Sequence, residues 1–299
     1  MNLSQEYNIE FGVPSWVRIS PCQKYIACGT STGYLYIISI EEKKILKFAL
    51  IHTKGINDGV WSSDSKFIVT ASDDKMACIT ETQELTVIRK LIGHRSKIFC
   101  VAISPDNSRI ATGSKDTAFC IWDPRNSNSL SEIGGHTEPI SSISFNYDGT
   151  LILTSSFDGI VRVWDSISLI CLRTYIMEGH PITRSLFAPN SQFVTAFSTD
   201  NLGQLIEIKT GKVFRNFRGH VNSKYMVDAG YIHRNDNSDG ELWVSSEDQK
   251  IHAWNVQSGE EIWQLDIGFD LAVANSTPDG SLFCVGGNIP GIVRLYTPK

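Results

Sequence analysis

The sequence lacks the features that mark metal-binding, disulfide-bonded or membrane-spanning chains. Its seven cysteines include no C-x-x-C pair, their number is odd, and no cysteine–histidine group has zinc-site spacing. No apolar run approaches the ~20 residues that cross a bilayer, and the opening residues MNLSQE lack the basic start and apolar core of a signal peptide. These absences predict reduced cysteines in the cytosol or nucleus, with no metal, no cofactor and no membrane.

The sequence also lacks a large net charge, either positive or negative. The 299 residues carry a net charge of −5, with 41% hydrophobic and 20% charged residues, which is an ordinary globular balance. Without a basic field the chain has little means of attracting phosphates. The composition therefore argues against direct, sequence-specific binding of nucleic acid.

What the sequence does contain is a repeat of about 42 residues. In the copies at 93–123 and 135–165, which open with Gly-His and close with Trp-Asp, Trp stands 28 residues after His. Worn copies continue the period, with histidines and aspartates in register at His52, His94, His136, His180 and His220, and at Asp74, Asp116, Asp158, Asp200 and Asp248. Short apolar runs separated by turn residues within each copy predict four antiparallel strands and an all-β repeat protein.

These marks resemble the WD-repeat (WD40) family of β-propellers. With worn copies at roughly 13–48 and 269–296, the resemblance covers nearly all of the chain and implies one seven-bladed propeller domain over residues 1–299. The last copy has room for only three strands. In this family an N-terminal strand completes the last blade and removes its open edge, so we expect the run Tyr7–Phe11 to do so here.

The repeats also bring histidine, serine and aspartate into one pattern, which invites a catalytic interpretation. A Ser-His-Asp nucleophilic site occurs once per domain and needs an oxyanion hole, whereas this set recurs. The recurrence predicts a structural hydrogen-bond network, which matches the structural tetrad of the family. The predicted sets are His94, Ser114, Asp116 and Trp122; His136, Ser156, Asp158 and Trp164; and His220, Ser246, Asp248 and Trp254.

Several segments, among them 61–65, 145–159 and 219–260, are similar to one WD-repeat subfamily, the WD-repeat subunit of COMPASS/MLL-type histone lysine methyltransferase complexes. This resemblance implies a nuclear scaffold that is not an enzyme. Its implied partners are a SET-domain methyltransferase subunit and another WD-repeat subunit, with the histone tail as a further candidate. The alternatives are a generic WD-repeat adaptor of a ubiquitin ligase or trafficking complex, and a propeller enzyme. The absence of a unique polar constellation argues against an enzyme.

In that subfamily the channel mouth grips an arginine of a partner peptide between two phenylalanine rings, since a planar cation stacks on aromatic faces. The first ring matches Phe99, and the second position holds Asp228, whose carboxylate is expected to pair with the arginine by charge. The alternative for Phe99 is core packing, and for Asp73 and Asp228 a solvated turn or loop. Further mouth positions match Ser15, Gly55, Asn57, Asp73, Ser141, Thr183 and Tyr225.

A second site of the subfamily is a shallow groove on the opposite face, near blades five and six, which takes an acidic, hydrophobic segment of another WD-repeat subunit. An apolar anchor with a charged rim suits such a ligand. His233 stands where the subfamily has a further apolar contact, so we expect a reshaped groove. The alternative for Phe193 and Leu205 is strand packing. The matching positions are Asn190, Phe193, Leu205, Arg215 and Gln257.

Overall fold

The pattern of apolar residues fixes the place of each strand within its blade. Middle strands such as Ala118–Trp122 are buried along their whole length, because a neighbouring blade covers each face. Outer strands such as Ser129–Gly134 alternate between half-buried and exposed residues. The computed structural model describes residues 1–126, 129–177, 179–233, 240–269, 272–287 and 291–298, and these form β-strands and turns without a helix.

The first three blades follow the N-terminal strand, β1 (Asn2–Asn8). Blade one contains β2 (Pro14–Ile19), β3 (Tyr25–Thr30), β4 (Tyr34–Ser39) and β5 (Lys44–Leu50). Blade two contains β6 (Ile56–Trp61), β7 (Phe67–Ser72), β8 (Met76–Glu81) and β9 (Val87–Ile92). Blade three contains β10 (Ile98–Ile103), β11 (Ile110–Ser114), β12 (Ala118–Trp122) and β13 (Ser129–Gly134).

The next three blades repeat this order. Blade four contains β14 (Ile140–Phe145), β15 (Leu151–Ser156), β16 (Ile160–Asp165) and β17 (Cys171–Ile176). Blade five contains β18 (Ile182–Phe187), β19 (Phe193–Ser198), β20 (Leu202–Glu207) and β21 (Val213–Phe217). Blade six contains β22 (Ala229–Ile232), β23 (Glu241–Ser245), β24 (Lys250–Asn255) and β25 (Glu261–Asp266).

The seventh blade closes the ring. Its first three strands are β26 (Ala272–Ser276), β27 (Phe283–Gly287) and β28 (Ile292–Thr297), and β1 supplies the fourth. The antiparallel register of β1 and β28 sets Asn2 opposite Thr297 and Asn8 opposite Ile292. The all-β, seven-bladed fold and its N-terminal closure are therefore confirmed.

The predicted bounds of the closing strand were wrong. The strand ends at Asn8, and only Tyr7 and Asn8 of the predicted run belong to it. Gly12 has a positive φ of 88° and turns the chain towards blade one. Phe11 consequently stacks on Tyr34, with ring centroids 4.8 Å apart, instead of pairing with β28.

The hydrophobic core lies between blades rather than within them. Trp122 and Cys120 of blade three, for example, pack in one cluster with Val69 and Ala71 of blade two. Each repeat thus buries its apolar surface only in the stack. Five of the seven cysteines are buried free thiols, and burial raises the pKa of Cys78 to about 12. These cysteines act as small apolar side chains in the core.

The first strand of each blade is the innermost one. These strands contact each other in succession around the ring, so they line a central channel. Turns follow the first and third strands of each blade, and they lie against the outer strand of the preceding blade. The clefts between these turns and that strand lie at the blade boundaries.

Candidate functional site

The repeated histidines and aspartates of blades three and four form the predicted hydrogen-bond networks. His94 Nδ1 lies 3.0 Å from Asp116 Oδ2, and its Nε2 lies 2.8 Å from the Thr112 hydroxyl. Trp122 Nε1 donates to the same hydroxyl at 2.8 Å. The hydroxyl of the set is therefore Thr112, and the prediction of Ser114 was wrong. Ser114 instead donates to the carbonyl of Lys97 at 2.8 Å.

Blade four repeats these contacts around His136, which bonds Asp158 and Thr154 at 2.9 Å each. Trp164 Nε1 donates to Thr154, so Thr154 rather than Ser156 is the bridging hydroxyl. Such recurrence across blades serves to tie the loop before each inner strand to the middle strands. In blade three burial opposes the charge of Asp116, but bonding to His94 outweighs it and lowers the pKa of Asp116 to about 2.

In blade six the predicted set does not form. His220 is buried, but among the described residues neither of its ring nitrogens has a hydrogen-bond partner. Asp248 instead accepts from His252 Nε2 at 2.9 Å, and Trp254 Nε1 donates to the carbonyl of Arg218. The cause is Val244, which stands where blades three and four have the bridging threonine and offers no hydroxyl. Burial lowers the pKa of His220 to about 4.

The channel holds an ion-pair network that the sequence did not predict. Arg18 of blade one lies 3.4 Å from Asp58 of blade two and 3.2 Å, across the channel, from Asp228 before β22. Arg184 of blade five lies 3.8 Å from Asp228. The side chains of Arg18, Asp58 and Asp228 are only 11–14% exposed. Two cations and two anions thus offset each other inside the ring, which is how buried charges are usually accommodated.

The network engages Asp228, the residue expected to pair with an incoming arginine. Besides its two arginine partners, Asp228 Oδ2 accepts from the backbone N–H of Ala274 at 3.1 Å. Burial opposes the charge of Arg18, but Asp228 and Asp58 outweigh it and raise the pKa of Arg18. An arginine entering from outside would therefore compete with Arg18 and Arg184 of the chain itself.

Four of the mouth residues lie together at the boundary of blades two and three. Asn57 Nδ2 donates to Asp73 Oδ1 and to the carbonyl of Ile98, both at 2.8 Å. The backbone N–H of Asp73 donates to the carbonyl of Gly55 at 3.0 Å. Phe99 follows Ile98 at a bulge in β10 and is half-buried, so its ring is neither a core ring nor a freely exposed one.

The other mouth positions are held by contacts within the chain. The Ser15 hydroxyl donates to the carbonyls of Gly29 and Ile56, and the buried Ser141 hydroxyl lies 3.1 Å from that of Ser155. Thr183 donates to the carbonyl of Phe197 and accepts from Asn222. Tyr225 is exposed, and its backbone N–H donates to the carboxylate of Glu247 at 2.9 Å.

Four of the five predicted groove residues line one cleft of about 230 Å³ between blades five and six, namely Asn190, Phe193, Leu205 and Gln257. Arg215 lies beside this cleft, since its Nε donates to the carbonyl of Gln257 at 2.6 Å.

Sequence reasoning missed Phe214 and Tyr231, which also line this cleft. Phe214 packs on Phe193 with ring centroids 5.4 Å apart and carries the guanidinium of Arg215 over its face at 4.7 Å. Its position beside Arg215 in an alternating outer strand was the available signal. Tyr231 is buried and bonds the hydroxyl of Thr195, which no local pattern indicates. His233, expected to reshape the groove, lies on its rim.

Within the described ranges no three histidine, cysteine or acidic side chains cluster as metal ligands would. The same ranges contain no helix with the length and apolar character needed to cross a membrane.

Comparison with known proteins agrees with the repeat geometry. The model of the WD domain, G-beta repeat, matches residues 44–80, 85–123 and 127–165. Each match begins near the outer strand of one blade and ends in or just after the third strand of the next. Residues 44–165 therefore carry WD40 repeats.

The curated relatives of this WD-repeat chain are distant. WD repeat domain-containing protein 83 of Rattus norvegicus is 29% identical over 114 residues, which are 37% of this chain and 35% of the relative. The human protein of that name is 26% identical over the same length, and the Danio rerio protein is 28% identical over 90 residues. The matched segment thus spans about a third of each relative.

The hydrogen-bond sets of blades three and four lie within the matched ranges and are complete, whereas blades five and six lie outside these ranges. His180 of blade five is exposed, and Asp200 accepts from Ser198 rather than from a histidine. Blades five and six, which lie outside the matched ranges, also form the cleft beside Arg215.

Proposed function

We propose that this WD-repeat protein is a non-catalytic scaffold that binds peptide segments of partner proteins, as a nuclear subunit of a COMPASS-type histone lysine methyltransferase complex. Its partners would be a SET-domain subunit and another WD-repeat subunit, and the histone tail is a further candidate. The observation that carries the proposal is the cleft between blades five and six. It is lined by Asn190, Phe193, Leu205 and Gln257, four of the positions that the subfamily resemblance named, and by Phe214 and Tyr231.

The chemistry of this cleft suits an acidic, hydrophobic segment. Leu205, Phe193 and Phe214 offer an apolar surface, and Phe214 is 47% exposed although it is aromatic. Arg215 lies on the edge with its guanidinium stacked on Phe214, which presents the cation to a carboxylate. Apolar anchors surrounded by a charged rim are typical of protein interfaces.

The proposal is tested by replacing Arg215→Glu and recovering the tagged protein from nuclear extract, with mass spectrometry and methyltransferase assay of the eluate. We expect wild type to recover a SET-domain subunit and methyltransferase activity. The variant should recover at least about tenfold less of the second WD-repeat subunit, because the loss of a hot-spot side chain costs about 2 kcal/mol or more of binding free energy. Arg95→Glu is the matched control, because Arg95 is an exposed arginine of blade three. Equal recovery by Arg215→Glu and wild type would exclude this cleft as the docking site.

The second candidate is a generic WD-repeat adaptor. The observation favouring it is that the curated relatives are named only as WD repeat domain-containing proteins, and these names specify no complex. Recovery of ubiquitin-ligase or coat subunits without methyltransferase activity would select this candidate and reject the first.

A further inference from the structure

The cleft between blades four and five is built, position for position, like the cleft between blades five and six. Val163 pairs with Arg173 across β16 and β17, as Leu205 pairs with Arg215 across β20 and β21. The same register makes Leu172 the equivalent of Phe214, and Leu151 the equivalent of Phe193. Leu151, Val163, Leu172 and Ile208 line this second cleft, whose volume is about 610 Å³.

This cleft is not bridged in the way that two of its counterparts are. Between blades one and two, Lys47 donates to the carbonyl of Gln83 and pairs with Glu84 at 3.1 Å. Between blades five and six, Arg215 donates to the equivalent carbonyl, that of Gln257.

The equivalent carbonyl in blade five belongs to Lys209, and Arg173 does not reach it. Within the described residues the guanidinium of Arg173 bonds only the carbonyl of Leu172, at 2.8 Å. The cation therefore stays on its own strand, and the cleft beside it stays open.

The outer hairpin of blade four carries an unusual amount of exposed aliphatic surface. Ile167 is 76% exposed, Ile170 62% and Ile176 73%. Single exposed apolar residues are ordinary, but several in one hairpin mark an interaction surface. β17 is also the outermost strand of its sheet, so one edge of its backbone has no partner strand.

We propose that the cleft between blades four and five is a second docking groove, which takes an extended partner segment of alternating aliphatic and acidic side chains. The aliphatic floor accepts the apolar side chains, and the free edge of β17 can pair with an extended backbone. Arg173 and Lys209 lie on the rim and select carboxylates. The carboxylate of Glu207 also lines the cleft and accepts a hydrogen bond from the Thr210 hydroxyl at 2.5 Å, so two cationic side chains face one anionic side chain there. The inference needs none of the partners named above.

The test uses a blocked six-residue peptide of alternating aspartate and valine, titrated into the full chain with isotope-labelled Ile, Leu and Val methyl groups. We expect concentration-dependent NMR shifts of the methyls of Val163, Leu172 and Ile208. In Arg173→Glu the midpoint of these shifts should move to at least about tenfold higher peptide concentration, while the shifts of Val256 in the other cleft remain. In Arg215→Glu the midpoint of the Val256 shifts should move to higher peptide concentration, while the shifts of Val163, Leu172 and Ile208 remain.

The outcomes separate this inference from the proposed function. Shifts confined to Leu205 and Val256 would reject the second groove and leave the first in place. Silence of all these methyls would reject both grooves. Loss of the Val163 and Leu172 shifts in Arg215→Glu but not in Arg173→Glu would also overturn the proposal. A peptide with lysine in place of aspartate must bind at least tenfold more weakly, since equal binding would contradict the assignment of an acidic partner.

Discussion

At the scale of single residues, one side chain decides whether a repeated histidine is part of a network. His220 and His136 occupy the same position of their repeats, but Thr154 bonds His136 while Val244 cannot bond His220. A buried polar atom without a partner costs free energy that a bonded one does not. Replacing each histidine should therefore change the free energy of unfolding in opposite directions.

We expect His220→Phe to leave the free energy of unfolding unchanged or to raise it by up to about 1 kcal/mol, because it removes two unpaired buried nitrogens. The new ring would keep the edge contacts of His220 with Trp254 and Phe197. The matched change His136→Phe should cost about 2–3 kcal/mol, since it leaves Asp158 and Thr154 unpaired. Urea denaturation of both variants measures this. A larger loss for His220→Phe would refute the explanation.

The comparison of wild type with His220→Phe also gives a prediction for the pH dependence of stability. The pKa of His220 is lowered to about 4 in the folded state, so between pH 6.5 and 4 the unfolded chain binds a proton that the folded chain does not. Wild type should lose about 3 kcal/mol relative to His220→Phe over that interval. If the two stability curves stay parallel from pH 7 to pH 4, His220 is not the buried neutral group described.

A third prediction concerns the half-buried Phe99 at the channel mouth. Phe99→Ala should weaken binding of an arginine-containing peptide about tenfold in isothermal calorimetry, because it removes the aromatic face on which the guanidinium is expected to stack. Phe48→Ala is the control, since Phe48 is 45% exposed on the outer strand of blade one. Equal affinities of wild type and Phe99→Ala would show that the pocket is elsewhere.

At the scale of elements, the closing strand depends on few side chains. Tyr7 of β1 is 4% exposed and packs with Val17, Cys284 and Val293, whereas Ser4 of the same strand is exposed. Tyr7→Ala should cost about 3–5 kcal/mol and lower Tm, as large-to-small changes of aromatic core residues do. Ser4→Ala should stay within about 0.5 kcal/mol. Thermal unfolding compares the two, and equal Tm values would mean that blade seven does not depend on β1.

The repeat predicted the elements well because its period and turn residues are local signals. The bounds of β1 were less accessible, since Tyr7–Phe11 is as strand-like in sequence as Asn2–Asn8. What distinguishes them is the partner, β28, and the turn at Gly12. Pairing across the whole chain is not visible in a window of a few residues.

At the scale of the whole molecule, Arg18 joins blades that are far apart along the chain. Its replacement, Arg18→Met, leaves Asp58 and Asp228 without their shared cation and should cost about 3–5 kcal/mol at pH 7. Adding Asp228→Asn should recover part of that loss. Arg95→Met, at an arginine that is 80% exposed and paired with Glu132, should cost less than about 1 kcal/mol. Equal unfolding midpoints for the Arg18 and Arg95 variants would contradict a stabilising role of the channel network.

The candidate sites were predictable only where the subfamily resemblance assigned a position. It named Arg215, Phe193 and Leu205, which the fold brings into one cleft. It did not indicate the partners of Asp228, because Arg18 lies 210 residues away and reaches it only across the closed ring. It also did not indicate the open cleft beside Arg173. Arg215 of blade five donates a hydrogen bond across its cleft to Gln257, whereas Arg173 of blade four bonds Leu172 on its own strand.

The closing pair of strands also has a consequence for how fast the molecule forms. Glu6 and Arg294, which meet across β1 and β28, are 288 residues apart in the chain. Because loop-closure entropy grows with the logarithm of length, each doubling of this separation costs only about 0.6 kcal/mol, and the final stability suffers little. The search for so distant a contact instead slows folding. We therefore expect the long separation of β1 and β28 to affect the rate of folding more than the free energy of unfolding.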